Sequence, residues 1–477
     1  MNALKNLFVT PITRFWRWAS QGKHPLVVTL VFLAVGTALV YGSPRSLIAF
    51  FVFISTAIFI YYLPMSPRLK LGLAALITLG LIPVLGLRNI FYLEVIFQIS
   101  VFAALALGLN IVVGFAGLLD LGYVAFYAVG AYSWAIFGSQ QLYMLHAVPG
   151  TMSTAANFPL PRDAFYLFLF LGVGLAGLTG ILLGLPVLRL RGDYLAIVTL
   201  GFGEVIRVLA NNLDKPLNLT NGPQGITPIQ RPTLPGPVLD ALRVVYNPLV
   251  GHPVTESQFY NLFFYLAALM VILVVIMVVR RLDDSKIGRA WTAIREDETA
   301  AIAMGIPLVR MKLAAFAAGA SFAGAMGVLF AASRTFVSPE SFSFMQSIGV
   351  LTMVILGGLG SIPGVIVGAA VVVILNLQVL TGLSLFLSQL RQSDAVIPII
   401  NFAWKDLSTQ LDPAKYQRLL FGFILILMMI YRPAGLIPAE RRKRELKSET
   451  EAPNGVPGEN NAGDKKPDVQ EDVHGAA

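Results

Sequence analysis

The sequence contains no cysteine and very little histidine. Among 477 residues there are only four histidines, His24, His146, His252 and His474, and they are far apart along the chain. Without cysteine the chain cannot form disulfides, thiolate metal sites or cysteine nucleophiles. The histidines also lack the close spacing that metal ligands require. The sequence therefore predicts a protein with no bound metal and no cofactor.

Charged residues are also scarce. They make up only 13% of the chain, against 56% hydrophobic residues, and the mean hydropathy is +0.72. A chain of this composition cannot bury its apolar surface in one water-soluble core. Apolar runs of about 17 to 25 residues, long enough to span a bilayer, recur along it. The composition indicates an all-α polytopic integral membrane protein with about 10–12 transmembrane helices, with room for re-entrant or broken helices among them.

The motifs of several common enzymes are missing from the sequence. Residues 357–364 read GGLGSIPG, which has the glycines of a phosphate-binding loop without its lysine. A GxSxG nucleophile elbow and a HExxH zinc helix are likewise absent. We therefore expect no catalytic residue and no hydrolysis of ATP by this chain alone.

The basic residues predict how the chain crosses the membrane. The net charge is +9, but the basic residues lie beside apolar runs, so nucleic-acid binding is not expected. Placing them on the cytoplasmic side predicts a cytoplasmic segment at 1–25 and a membrane domain, surrounded by lipid, at 26–436. Residues 437–477 contain almost no apolar residues to bury, and this composition predicts a disordered cytoplasmic tail. The same path sends two long loops outward, at 138–163 and 211–258.

One densely charged segment, residues 280–308, interrupts the apolar sequence. Ten charged residues lie between positions 280 and 298, while Trp291 and Ile294 fall on one side at helical spacing. The pattern predicts an amphipathic helix outside the bilayer, and Gly305 supplies a stop signal. Docking onto a partner is favoured, and a helix that lies on the membrane surface is the alternative.

Two glycine-rich segments, residues 114–122 and 357–364, break apolar runs. Interrupted helices at membrane depth occur where they line protein or a water-filled path. The breaks are therefore candidates for the substrate pathway, whereas most other glycines are interpreted as helix-packing positions. The residues assigned to this candidate pathway are Asn110, Gly114, Gly117, Glu204, Arg207, Gly357, Gly358 and Gly360.

Ionisable residues within the apolar runs are few, because each costs roughly 2.5 to 3.5 kcal/mol when it is unpaired in lipid. Glu204 and Arg207 are three residues apart, so they meet on one helix face and are predicted to form an ion pair. This pair either faces the pathway or is buried between helices. Asn110 and Asp120 flank the first break, where capping of helix ends is favoured over other polar contacts.

Several stretches of the sequence carry a family resemblance. They are residues 108–132, 186–209, 288–306 and 336–364, and the final YRPAGLIP at 431–438 agrees with them. Together they resemble the LivM-type permease of bacterial high-affinity branched-chain amino-acid ABC importers. Several motifs in the same order make this resemblance specific.

The resemblance implies a non-enzymatic permease subunit of the bacterial inner membrane, with both termini in the cytoplasm. Its implied partners are a homologous second permease, two cytoplasmic ATP-binding subunits and a periplasmic amino-acid-binding protein. Closure of the ATPase pair would push the charged helix and tilt the attached spans. The matches to the family's ATPase-coupling loop are Gly288, Arg289, Ala290, Arg295, Glu296, Asp297 and Gly305, and Trp291 would anchor the apolar side of the helix.

The resemblance implies leucine, isoleucine and valine as substrates. A urea or short-amide ABC permease is an alternative within the same class, because such permeases share the pattern. An ion-coupled secondary transporter is an alternative from another class. Such a carrier would rely on Glu204, Asp120 and Glu94, and it would have no need of the charged helix at 286–306.

Overall fold

A computed structural model describes most of the chain as α-helices. The predicted N-terminal segment up to residue 23 and the predicted tail beyond residue 439 lie outside the described residues. The described residues are 24–42, 47–150, 157–187, 193–234, 236–250, 254–392, 396–397, 402–403 and 413–439.

The helices follow the order of the apolar runs. The first half of the chain forms α1 (His24–Gly42), α2 (Leu47–Tyr62), α3 (Pro67–Ala75), α4 (Ile82–Arg88), α5 (Ile90–Asn110), α6 (Val124–Phe137), α7 (Ala164–Val187) and α8 (Asp193–Asn212). The second half forms α9 (Gly236–Val250), α10 (Glu256–Asp283), α11 (Lys286–Glu296), α12 (Glu298–Ala303), α13 (Leu308–Arg334), α14 (Phe344–Gly357), α15 (Ile362–Ile374), α16 (Thr381–Gln392) and α17 (Gln417–Tyr431).

Short irregular elements join or extend these helices. π-Helical turns at Leu76–Leu81, Ile111–Phe115 and Leu375–Leu380 follow α3, α5 and α15. Two-residue strands, β1 (Val396–Ile397) and β2 (Phe402–Ala403), form one antiparallel pair. The architecture is therefore all-α, as the composition predicts.

Apolar helices long enough to cross a membrane make up nearly half of the described residues. Within the described ranges, eight helical stretches are long and apolar enough to cross a membrane, and there are also four shorter apolar helices. The short ones are Val52–Tyr62, Val124–Phe137, Ile362–Ile374 and Gly422–Tyr431. Two of them, α6 and α15, begin at the glycine breaks. They are short because the break replaces the first part of each helix. The protein is a multi-pass membrane protein, and the predicted 10–12 spans include these short helices.

Helix α13 lies at the centre of the bundle, against α5, α6 and α7. Its backbone touches two neighbours through glycines. A Cβ on Gly324 would lie 2.2 Å from the carbonyl oxygen of Gly172 in α7, and a Cβ on Gly130 in α6 would lie 2.2 Å from the carbonyl oxygen of Gly324. Glycine lets helix backbones approach closely in lipid. The predicted packing role of these glycines is confirmed.

Helices of the charged segment mark one end of the bundle. Helices α11 and α12 join α10 to α13 at one end, hereafter the α11 end. Tyr61 and Arg280 line the same cavity there, and the Lys70 Nζ donates to the Tyr61 carbonyl oxygen at 2.9 Å. The predicted cytoplasmic residues Lys70 and Arg280 therefore lie at one end, whereas Arg189 and Arg191 fall outside the described residues.

At the opposite end, the two predicted outward loops pack against each other. The Asn218 amide N–H donates to the Leu145 carbonyl oxygen at 2.8 Å, and Gln141 Nε2 donates to the Asn218 carbonyl oxygen at 2.7 Å. Ile226 and Val337 exchange backbone hydrogen bonds at 2.8 and 3.2 Å. The loop at 211–258 also contains α9, which the sequence analysis does not predict.

Replacement of Gly324 by alanine should destabilise the bundle. The added methyl group would meet backbone atoms, and overpacking of this kind costs about 1–3 kcal/mol. Gly174→Ala in α7 is the control, because no atom lies within 4 Å of its added methyl group. Thermal unfolding in nanodiscs, followed by tryptophan fluorescence, should show a lower Tm for Gly324→Ala only. Equal Tm values would contradict the packing described here.

Candidate functional site

Helix α11 is seated on the bundle by its predicted apolar face. Trp291 is only 1% exposed, and its Nε1 donates to the Met311 carbonyl oxygen at 2.7 Å. A Cβ on Gly288 would lie 2.3 Å from the Leu282 carbonyl oxygen, so α11 crosses directly over the end of α10. The Ser285 hydroxyl caps α11 by accepting from the Gly288 amide at 3.3 Å. Trp291 therefore anchors α11 to its own chain.

Asp297 separates α11 from α12 and caps the second helix. Its carboxylate accepts hydrogen bonds from the amides of Thr299 at 2.7 Å and Ala300 at 3.1 Å. The Ala300 and Thr299 donors lower the pKa of Asp297, because they favour the charged carboxylate. The stabilisation that this cap provides is complete above the ordinary pKa of aspartate. This stabilisation is lost only as the pH falls through the lowered pKa of the folded-state Asp297 carboxyl group.

The far side of α11 and α12 is open. The Glu296 side chain is 59% exposed, and Glu298 pairs with Lys312 to tie α12 to α13. Gly305 has a φ of +82°, and no described atom lies within 4 Å of the position that a Cβ would take. A side chain would therefore have room here, and it is the backbone conformation that favours glycine. Among the predicted coupling residues, Arg289, Glu296, Asp297 and Gly305 are exposed, Ala290 and Arg295 are half-buried, and Gly288 and Trp291 are buried.

Arg295 connects α11 to the first glycine break. Its Nη1 donates to the Gly114 carbonyl oxygen at 2.7 Å. Gly117 has a φ of +70°, and a Cβ there would lie 2.6 Å from the Arg295 Cγ. The structure thus brings a predicted coupling residue and two predicted pathway residues into direct contact.

Asn110 joins the two glycine breaks to each other. It is fully buried, and its Oδ1 accepts from the Gly360 amide at 2.9 Å. A Cβ on Gly114 would lie 2.1 Å from this same oxygen. The predicted capping role of Asn110 is wrong, because its side chain makes no bond to the helix end. Gly360 is half-buried, and Asn110 supplies the acceptor for its amide.

The YRPAGLIP segment closes over the second break. The Ile437 amide donates to the Gly357 carbonyl oxygen at 3.1 Å. Gly358 has a φ of +120°, and a Cβ on Gly435 would lie 2.4 Å from the Gly358 Cα. The predicted pathway residues Gly357 and Gly358 are therefore covered by the end of the membrane domain.

Non-helical residues 116–123 continue the first break, and two of their polar groups are bonded as follows. The Leu121 amide donates to the Thr199 hydroxyl at 3.0 Å. Asp120 is 1% exposed, and its Oδ1 accepts from the Gly122 amide at 2.9 Å. Because Gly122 precedes α6, the predicted capping role of Asp120 is also wrong.

A cavity of about 700 Å³ opens at the α11 end, between α11 and the two breaks. Its wall combines charged residues from α10 and α11 with backbone from both breaks. The residues that define it include Arg280, Asp283, Thr292, Arg295, Gly114 and Gly360. Any molecule that leaves the breaks at this end would enter a space that is lined by both charged and apolar side chains and lies in contact with α11.

The predicted ion pair of Glu204 and Arg207 is confirmed. Arg207 Nε donates to Glu204 Oε2 at 2.8 Å, and Arg207 Nη1 also donates to Glu340 Oε1 at 2.9 Å. Glu340 lies in the connection between α13 and α14 at the opposite end of the bundle. Within the described residues the pair makes no hydrogen bond to either break, although the neighbouring Gly203 packs against Gly122, and its place on a pathway stays a prediction.

A second ion pair at the opposite end escaped the sequence analysis. Arg334 Nη2, at the end of α13, donates to Glu94 Oε1 at 2.5 Å. Gln98 Nε2 donates to the same oxygen at 2.8 Å. Only the four-residue spacing of Glu94 and Gln98 could have indicated a contact. Arg334 is 240 residues away in the sequence, so no local pattern points to it.

Comparison with known proteins decides the family. The family described as the permease component of the branched-chain amino acid transport system matches residues 91–429. The chain belongs to this family. The permease is similar to the high-affinity branched-chain amino acid transport system permease protein LivM of Salmonella typhimurium (strain LT2) and of Escherichia coli (strain K12). It is 38% identical to each over 360 residues, which cover 73% of this chain and 70% of each relative.

The permease also resembles a second type of protein. It is 28% identical over 153 residues to the high-affinity branched-chain amino acid transport system permease protein LivH of Escherichia coli (strain K12), which covers 32% of this chain and 40% of LivH. No solved structure matches the permease. The family resemblance read from the sequence is confirmed.

Arg295→Ala should loosen the glycine breaks. The substitution removes the charged donor to the Gly114 carbonyl oxygen, and such bonds contribute about 1.5–3 kcal/mol. Hydrogen–deuterium exchange should rise in peptides that cover residues 111–123. Arg289→Ala is the matched control, because Arg289 is exposed and, among the described residues, donates only to the nearby Asp284 carbonyl oxygen at 3.1 Å. Unchanged exchange in the Arg295 variant would rule out this link.

Proposed function

We propose that this chain is a permease subunit of an ATP-binding-cassette importer for leucine, isoleucine and valine. It lies in the bacterial inner membrane with both termini in the cytoplasm and moves substrate inward. Its family and its identity to LivM across 70% of that protein support the transport role. The basic residues at the α11 end support the orientation, because such residues favour the cytoplasmic side.

The observation that carries the coupling part of the proposal is the Arg295–Gly114 hydrogen bond of 2.7 Å. One face of α11 is open to a partner, whereas Arg295 on the other side holds the first break. Force applied to the exposed face by an ATPase would therefore reach the break through a single side chain. The cavity of about 700 Å³ beside Arg295 would be the space through which substrate leaves.

The proposed assembly contains this permease, a homologous second permease, two cytoplasmic ATP-binding subunits and a periplasmic amino-acid-binding protein. Similarity to LivH as well as LivM supports a pair of related permease chains. The packed loops at the opposite end supply a structured surface for the binding protein. ATP-driven closure would push α11, tilt α10 and α13, and alternate access to the pathway.

The decisive experiment measures uptake of labelled leucine and labelled urea into vesicles that carry all four kinds of subunit. Leucine uptake that stops when the ATP-binding subunits are omitted would support the proposal. Uptake that persists without them would indicate an ion-coupled carrier. Uptake of urea alone would assign the permease to the urea and short-amide importers.

Glu296→Ala and Gly305→Ala should uncouple ATP hydrolysis from transport. Glu296 is an exposed charge on the docking face, and alanine at Gly305 would strain the turn that ends α12. Uptake per ATP hydrolysed should fall roughly tenfold, within the usual range of coupling free energies of about 1–3 kcal/mol. Gly174→Ala in α7, where no described atom lies within 4 Å of the added methyl group, is the control. Normal leucine uptake by the Glu296 and Gly305 variants would contradict the docking assignment.

A further inference from the structure

A second cavity, of about 140 Å³, lies at the opposite end from α11. It is formed by α5, α6, α13 and the start of α14. One wall is aromatic, with Phe97, Tyr127 and Phe330, and the other is polar, with Arg334, Ser341 and Gln346. A volume of 140 Å³ holds roughly four to five waters. The cavity therefore has room for an aliphatic side chain of about four carbon atoms, with the polar groups of the same molecule at its edge beside Arg334.

An ion pair lies at the edge of this cavity, with Arg334 in its wall and Glu94 outside the lining residues. Arg334 is one of the lining residues, and its partner Glu94 also accepts from Gln98, another lining residue. The Arg334 and Glu94 side chains are 39% and 29% exposed, so both charges can be reached from outside the bundle. By contrast, the Glu204–Arg207 pair lines neither of the cavities described above.

We propose that this outer cavity binds the amino-acid substrate as a zwitterion before it enters the bundle. The substrate carboxylate would bind the Arg334 guanidinium, and the substrate ammonium group would bind the Glu94 carboxylate. The aliphatic side chain would lie against Phe97 and Phe330. This assignment rests on the proposed function, and it adds the residues that recognise the substrate.

Charge balance favours a zwitterion over other ligands. A zwitterion separates the Arg334–Glu94 pair and replaces it with two new pairs, so neither protein charge is left unpaired. Guanidinium groups hold carboxylates through two parallel hydrogen bonds. Urea carries no charge, so it would not replace either partner of the ion pair, and Arg334 and Glu94 would stay bonded to each other. Burial of an aliphatic side chain against aromatic rings contributes further stabilisation.

The position of the cavity fits an entry site. The Val337 amide, between Arg334 and Ser341, is bonded to the Ile226 carbonyl oxygen of the packed outer loops. Those loops are the surface proposed above for the binding protein. Helix α13 has Arg334 at one end and Leu308, next to the α11–α12 segment, at the other. Its 27 residues span about 40 Å.

The absence of cysteine from the chain allows a direct test. Ser341→Cys would place one thiol in the cavity wall, and Val244→Cys on α9, 76% exposed, would place one outside it. The full complex in nanodiscs, without binding protein, is treated with a maleimide, and labelling of this chain is followed by mass spectrometry. At about ten times its half-saturating concentration, leucine should slow labelling at residue 341 roughly tenfold, because about one site in ten is then empty. Labelling at residue 244 should not change.

Analogues that lack one charge test the zwitterion directly. 4-Methylpentanoate has no ammonium group and 3-methylbutylamine has no carboxylate, so neither should slow labelling at residue 341. Glu94→Gln and Arg334→Gln, each combined with Ser341→Cys, should abolish the protection by leucine. Absence of labelling without leucine, absence of protection by leucine, or equal protection by the analogues would each overturn the proposal.

Loss of one charge could also disturb folding, so a charge reversal provides a second test. The combined change Glu94→Arg and Arg334→Glu keeps an ion pair but exchanges its two ends. We expect this variant to reach the membrane and to lose protection by leucine. Full protection would show that the pair is structural only. ATP-dependent leucine uptake by the unmodified complex reports on the proposed function separately, since uptake without protection would overturn the outer cavity alone.

Discussion

Every backbone N–H and C=O group that leaves a helix within a membrane needs a partner inside the protein, because lipid offers none. The two glycine breaks of this permease meet that requirement with side chains from elsewhere in the chain. Asn110 accepts from Gly360, Arg295 donates to Gly114, and Thr199 accepts from Leu121. The position of α11 against the bundle and the contact between the two breaks both depend on these bonds.

Features that depend on neighbouring residues could be read from the sequence. The buried face of α11, which contains Trp291, follows from helical spacing, and the Glu204–Arg207 pair follows from a three-residue separation. The positions of the two breaks follow from their glycines. Each of these signals lies within a few residues, where the chain itself fixes the distance between side chains.

Contacts between distant parts of the chain could not be read in this way. Arg295 and Gly114 are 181 residues apart, and a charged residue on an amphipathic helix is ordinarily expected in water. The capping role expected for Asn110 is a local preference of asparagine. The half-buried amide of Gly360 outweighs that preference, because a hydrogen bond of this kind contributes about 0.5–1.5 kcal/mol. Its proximity to Asn110 is set by the packing of α5 against the second break.

The glycine contacts of α13 have a mechanical consequence. At Gly130 and Gly324 the backbones of α6, α13 and α7 approach so closely that an added Cβ would meet a backbone oxygen first, and the Val328 side chain packs at Gly172. Such a joint is stiff against twisting, so the three helices would turn as one body. A displacement imposed at one end of α13 would then appear at the other end without being absorbed on the way. One rigid element would set the timing of events on both faces of the membrane.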